Sequence, residues 1–161
     1  MRGTQKVFGG IVLGVLALGL AVIPQQATSS SPRSSGQDAN VDPVPAYHKS
    51  VPAGPLPATL SPSLFTDPVV QNAYRVAARI KRILYQQPCY CHCDRNEGHG
   101  SLLDCYAGRH ASECGICIQE GLYSYEQARK GKSAAQIREG IERGDWKKVD
   151  LRKYESPSHA K

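Results

Sequence analysis

Residues 66–93 read TDPVVQNAYRVAARIKRILYQQPCYCHC, and their pattern decides the fold class. Val69, Val70, Ala73, Tyr74, Ala77, Ile80 and Leu84 recur at spacings of three and four, the repeat of one helix face. Thr66 or Asp67 can cap that helix, and Pro68 suits its first turn. Arg75, Arg79, Lys81 and Arg82 fall mainly elsewhere. Pro88 stops the helix, because its ring and missing N–H are incompatible with a helix interior. The chain is thus delivered to Cys89, the first of three cysteines at alternate positions.

Downstream the same signals repeat. In SLLDCY, Ser101 and Asp104 have the spacing of a capping box, ahead of Leu102, Leu103 and Tyr106. A longer helix is expected from near Ser112 through CGICIQEGLYSYEQARKG, with Ile116, Ile118, Leu122, Tyr125 and Ala128 as its apolar surface. Gly131 is a natural stop. Ser133 and Gln136 suggest another capping box, opening a last helix with Ile137 and Ile141. Gly140 weakens that helix. No strand pattern and no repeat is visible. The expected class is a small all-α domain over residues 66–154, with an irregular cysteine-rich loop and a flexible tail at 155–161.

Upstream the composition changes. Nine of the eleven prolines lie in residues 24–68, among many Ser and Ala. Such a segment cannot build a packed core, and residues 24–65 read as a disordered proline- and serine-rich tether. Residues 1–23 hold Arg2 and Lys6, then an unbroken apolar and glycine run from Val7 to Ile23. A basic start followed by an apolar stretch is the mark of an export signal, although Gln25 spoils the cleavage site. The run is also near the lower length for a membrane-spanning helix. A cleaved signal peptide and an uncleaved anchor in the inner membrane both stay open. Either way the positive residues favour a cytoplasmic N-terminus and an extracytoplasmic domain, periplasmic or secreted. The net charge of +6 is laced with acidic residues, as in REGIERGDWKK, and reads as solvated helix surface. Nucleic acid is not an expected partner.

All six cysteines fall between residues 89 and 117: Cys89, Cys91, Cys93, Cys105, Cys114 and Cys117. His92, His99 and His110 share the window. Sulfur and imidazole suit zinc and copper(I). CGIC is a common ligand spacing, and its position at a helix start favours thiolates. In CYCHC, an extended chain would set neighbouring sulfurs about 6.5–7 Å apart, too far to share one ion at about 2.3 Å. The loop must bend, or a second ion must be present. Disulfides between these neighbours would be strained. His92 is more ordinary as a loop residue, and His48 and His159 lie in the expected tether and tail. Asp94, Glu97, Asp104 and Glu113 are nearby carboxylates whose ordinary role is surface solvation.

Pro88, Cys89, Tyr90, Cys91 and Cys93, with Gly98, His99, Leu103, Asp104 and Cys105, form a pattern completed by His110, Cys114, Cys117, Ile137, Arg138 and Ile141. In these residues the chain resembles the bacterial PCYCGC-motif proteins, many of them lipoproteins of unknown function. The resemblance implies an exported, tethered domain and supplies no activity. His92 replaces the glycine of the name motif. The apolar N-terminal run holds no cysteine, so lipid attachment is not carried over.

Three function classes follow. The first is an extracytoplasmic domain that sequesters or passes on copper(I) or zinc through Cys89, Cys91, Cys93, Cys105, Cys114, Cys117, His99 and His110. The second is a disulfide-stapled module that binds another envelope protein without metal. The third is a thiol oxidoreductase using Cys114 and Cys117. No phosphate loop, Ser-His-Asp grouping or haem attachment motif points to another enzyme, and no catalytic residue is assigned.

Overall fold

A computed structural model of the chain describes residues 42–156. The apolar N-terminal run, the first part of the tether and residues 157–161 with His159 lie outside the described residues. Among these described residues are six helices: α1 (Pro68–Arg79), α2 (Lys81–Leu84), α3 (Cys93–Asn96), α4 (Leu102–Ala107), α5 (Gly115–Arg129) and α6 (Ala134–Glu142). Short 3₁₀ turns at Pro62–Leu64, His110–Glu113, Asp145–Lys148 and Leu151–Tyr154 link or flank them. Among the described residues there is no strand, and the all-α expectation holds.

The local signals act where the sequence places them. Asp67 caps α1 by accepting from Val69 N at 2.7 Å and Val70 N at 3.4 Å. Ser133 and Gln136 close the capping box of α6. Gly131 takes the left-handed backbone (φ 78°) beyond α5. The first helix, however, is not continuous to Gln87. Ile80 leaves helical geometry (φ −114°, ψ 28°), and its N–H is shared between Val76 O and Ala77 O. The break splits the burial that follows. Leu84 enters the main core, and Ile83 packs against a second, smaller one.

Helix α5 is the axis of the domain and packs against α1, α2, α4 and α6. Its Leu122 and Tyr125 join Tyr74, Val76, Ala77, Leu102, Leu103 and Tyr106 in the main core. Cys89, Cys93, Cys105 and Cys117 are buried in that same core. Tyr123, on the other side of α5, joins Ile137, Ile141 and Trp146. There Gly140 has a purpose beyond its poor helix propensity: a methyl group at this position would overlap the Tyr123 hydroxyl.

Residues 42–65 were expected to be free tether, and the structure corrects this. They form an ordered strap along the helices. Phe65 is buried against Tyr74, with ring centroids 4.3 Å apart. Leu60 N donates to Tyr106 O at 3.0 Å. His48 stacks on Tyr85 at 3.9 Å, so it too has a packing role. A few anchored side chains, rather than a continuous apolar face, hold this proline-rich stretch in place. At the other end, buried Asn72 donates to Tyr154 O and Ser156 O, fixing the last described turn.

Candidate metal centre

The centre is built around a sharp reversal in the motif. Cys89 O accepts from His92 N at 3.0 Å, closing a tight turn. His92 sits in left-handed backbone (φ 56°, ψ 34°), which a residue with a Cβ adopts at a cost and glycine does not. The chain therefore folds back instead of extending. Cys89 Sγ and Cys91 Sγ come within 3.3 Å of each other. The bent-loop alternative is the one observed.

Each remaining residue is brought in by its own local structure. Helix α3 starts at Cys93, whose carbonyl accepts from Glu97 N at 2.8 Å. Gly98, at φ 68°, turns the chain back through His99. Asp104 Oδ2 accepts from Gly100 N at 2.8 Å and Ser101 N at 3.1 Å, so the capping box anchors α4 and aims Cys105 and Tyr106 inward. Leu102 N donates to Gln87 O at 2.9 Å, tying α4 to the residue before Pro88. A 3₁₀ turn, not the start of α5, occupies the region near Ser112. It presents His110. Cys114 then becomes the N-cap of α5 and Cys117 lies in its first turn.

The result is a continuous patch of sulfur and nitrogen donors. Cys89 Sγ lies 3.3 Å from Cys117 Sγ, and Cys91 Sγ lies 3.6 Å from Cys117 Sγ. Cys93 and Cys105 sulfurs are 3.4 Å apart, and His99 Nδ1 is 3.4 Å from Cys105 Sγ. His110 Nε2 is 3.5 Å from Cys91 Sγ. All six cysteines are free thiols. Four overlapping sets have donor atoms mutually within 4.8 Å: Cys91, His110, Cys114, Cys117; Cys93, His99, Cys105, His110; Cys89, Cys105, Cys117; and Cys89, Cys91, Cys93. Tetrahedral ligation at about 2.3 Å separates sulfurs by roughly 3.8 Å, so small adjustments suffice to enclose an ion. The Cys/His cluster can hold a metal.

Protons are shared unevenly across the cluster. The Cys89 thiol donates to Cys91, which, aided by His110, brings the Cys91 thiol down to about 5 despite partial burial. Cys93 is held well below the ordinary thiol range by hydrogen bonds from Cys105 and then Cys89. Cys105 is pushed up first by Cys117, and Cys89 first by Cys105. Cys91 in turn raises His110. Two thiolates held among thiol donors are a ready anionic seat for a soft cation.

The structure brings together all eight residues expected from the sequence and leaves His92 out. His92 Nε2 faces Asp42 Oδ2 at 3.5 Å, and its ring meets Tyr90 edge-on. The nearby carboxylates are also accounted for otherwise: Asp94 accepts from Ala46 N, Asp104 caps α4, and Glu97 and Glu113 are exposed. Glu120 is the residue that sequence reasoning missed. It is fully buried, its Oε1 accepts from Tyr90 N at 3.0 Å, and its Oε2 has no partner. Its position three residues after Cys117, on the same helix face, was the available signal.

A family model described as "Protein of unknown function with PCYCGC motif" matches residues 15–149, and the chain belongs to that family. The left-handed backbone at His92 explains why the name motif carries glycine at that position. No curated protein and no solved structure matches the chain.

Proposed function

From this family membership and the geometry of its motif, we propose that the domain binds copper(I) or zinc outside the cytoplasm and sequesters it or passes it on. The observation that carries the reading is the convergence of six thiol sulfurs and two imidazoles on one patch. Isolated structural zinc needs four such donors, and soft thiolates also select copper(I). The patch has an open side. Cys91, His110 and Cys114 are half-buried, whereas Cys89, Cys93, Cys105 and Cys117 are buried. An ion held at the open side is within reach of a donor or acceptor protein of the envelope, by ligand exchange through Cys91 and Cys114. The apolar run at residues 7–23, behind Arg2 and Lys6, supports export and attachment to the membrane.

The close approach of Cys93 to Cys105 favours a second reading, a disulfide-stapled envelope interaction module. Forming that bond requires their 3.4 Å separation to shrink to about 2.05 Å. One experiment separates the two. The full-length chain is purified from its native compartment without reductant, and its intact mass and metal content are measured. A stoichiometric soft metal with free thiols is the expected result. A mass lowered by six hydrogens with no metal overturns the metal reading.

A further inference from the structure

We infer that Cys89 is a bridging thiolate between two metal centres. The inference rests on the metal-binding reading above and adds to it the number of ions and their connection. The donors divide into two poles. Cys91, Cys114 and Cys117 form one, and Cys93, Cys105 and His99 form the other, with His110 within reach of both. Cys91 approaches Cys93 and Cys117 approaches Cys105 across this division, each within 4.8 Å, and Cys89 approaches two sulfurs on each side of it. Its sulfur is 3.3 Å from Cys91 and 3.3 Å from Cys117 on the first. It also lies within 4.8 Å of Cys93 and of Cys105 on the second.

Chemistry assigns the bridge to Cys89 rather than His110. A neutral imidazole has one free lone pair and serves one ion. A thiolate sulfur has three and can serve two. Cys89 is 3% exposed, so solvent does not compete for its second position. Two cations in adjacent buried sites repel strongly, and a shared anionic sulfur between them offsets that repulsion. With Cys89 shared, Cys91, Cys114 and Cys117 complete four ligands at one ion, and Cys93, Cys105 and His99 complete four at the other. His110 is then free to replace a ligand during exchange at the open pole.

The test uses ¹¹³Cd²⁺ as a soft, NMR-active probe. The full-length chain is reduced anaerobically, loaded with the ion and examined by ¹¹³Cd and ¹H–¹¹³Cd correlation spectroscopy. Two cadmium resonances per chain are expected, split by each other, with the Cys89 Hβ protons correlating to both. In Cys89→Ser the splitting disappears and the stoichiometry falls from two to one. One cadmium per chain, or two with Cys89 coupled to only one, overturns the bridge and leaves the metal reading standing. No bound cadmium overturns both. The wild-type spectrum decides the question even if Cys89→Ser does not fold.

Discussion

The Tyr106 hydroxyl donates to the backbone carbonyl of Cys117 across 2.8 Å. This buried bond joins α4, which carries Cys105, to the first turn of α5, which carries Cys117. It works because residue 121, one turn further along α5, is glycine. A methyl group there would overlap the hydroxyl and ring of Tyr106. Tyr74 meets that ring edge-on at 5.0 Å, so the ring has no free space to retreat into.

Gly121→Ala is therefore expected to destabilise the domain by about 1–3 kcal/mol, the usual cost of overpacking a core. Helix propensity alone predicts a gain of about 1 kcal/mol, so the sign distinguishes the two effects. Adding Tyr106→Phe restores part of the loss, because it removes the nearest overlapping atom. Urea unfolding of the single and double variants checks both claims. A more stable Gly121→Ala protein would show that the contact is not tight.

Cys91 is expected to be the most reactive thiol of the metal-free chain. It is half-buried rather than buried, and its thiol sits at about 5 instead of the ordinary 9.0. At pH 6 it is therefore largely thiolate. Iodoacetamide at that pH, followed by peptide mass spectrometry, should find label at Cys91 before the other five cysteines. His110→Ala slows the labelling, since His110 helps to hold the thiolate. A bound soft metal suppresses it. Equal labelling of Cys91 and Cys114 at pH 6 would contradict the proton sharing described for the cluster.

His92→Gly should retain metal with unchanged stoichiometry, because His92 belongs to no donor set. Stability should hold or rise by up to about 1–2 kcal/mol, as glycine relieves the left-handed backbone. The contact with exposed Asp42 is lost, and such surface pairs contribute little; the edge-on ring contact with Tyr90, at 5.9 Å between centroids, is lost with it. Metal analysis and a thermal melt on the same preparation test this. A fall in metal content would reinstate His92 as a ligand.

The contrast between His92 and the helix caps shows which features were legible in the sequence. Asp67, the Ser101–Asp104 pair and the Ser133–Gln136 pair act on backbone within three residues, so their roles are readable locally. The all-α class follows from them and from the apolar spacing. The break at Ile80 was invisible, because the apolar spacing runs on through Leu84 while tertiary packing sends Ile83 and Leu84 to different cores. The strap reads as free tether in the sequence because Leu60 and Phe65 are isolated anchors in a proline-rich composition. Gathering eight donors into one window was legible. Their convergence was not, since histidine at residue 92 conceals a turn that glycine would have announced. Gly140 likewise looked like a weak point in α6, and its pairing with Tyr123 spans α5 and α6.

Glu120 makes the stability of the metal-free chain depend on pH in a defined direction. Burial pushes its carboxyl up to about 8, from an ordinary 4.5, despite the compensating interactions with Tyr90 N and Cys89, and the charges of Cys91 and Cys93 add to the rise. In the unfolded chain the group ionises near 4.5, so between 4.5 and 8 the folded chain holds a proton that the unfolded chain has lost. The stability linked to that proton is complete below the lower value and disappears as pH rises through the upper one. At about 1.4 kcal/mol per unit of pKa, the full span amounts to a few kcal/mol. Glu120→Gln keeps a carbonyl acceptor for Tyr90 N and removes the ionisation. The urea midpoint of the wild type, measured relative to that variant at pH 5, 6.5 and 8 without metal, should therefore fall steadily. The difference reads the carboxyl together with its coupling to Cys89, Cys91 and Cys93, which act on it directly. A difference that stays constant across the three pH values would mean that the carboxyl is already ionised in the folded chain, with its second oxygen paired to a donor.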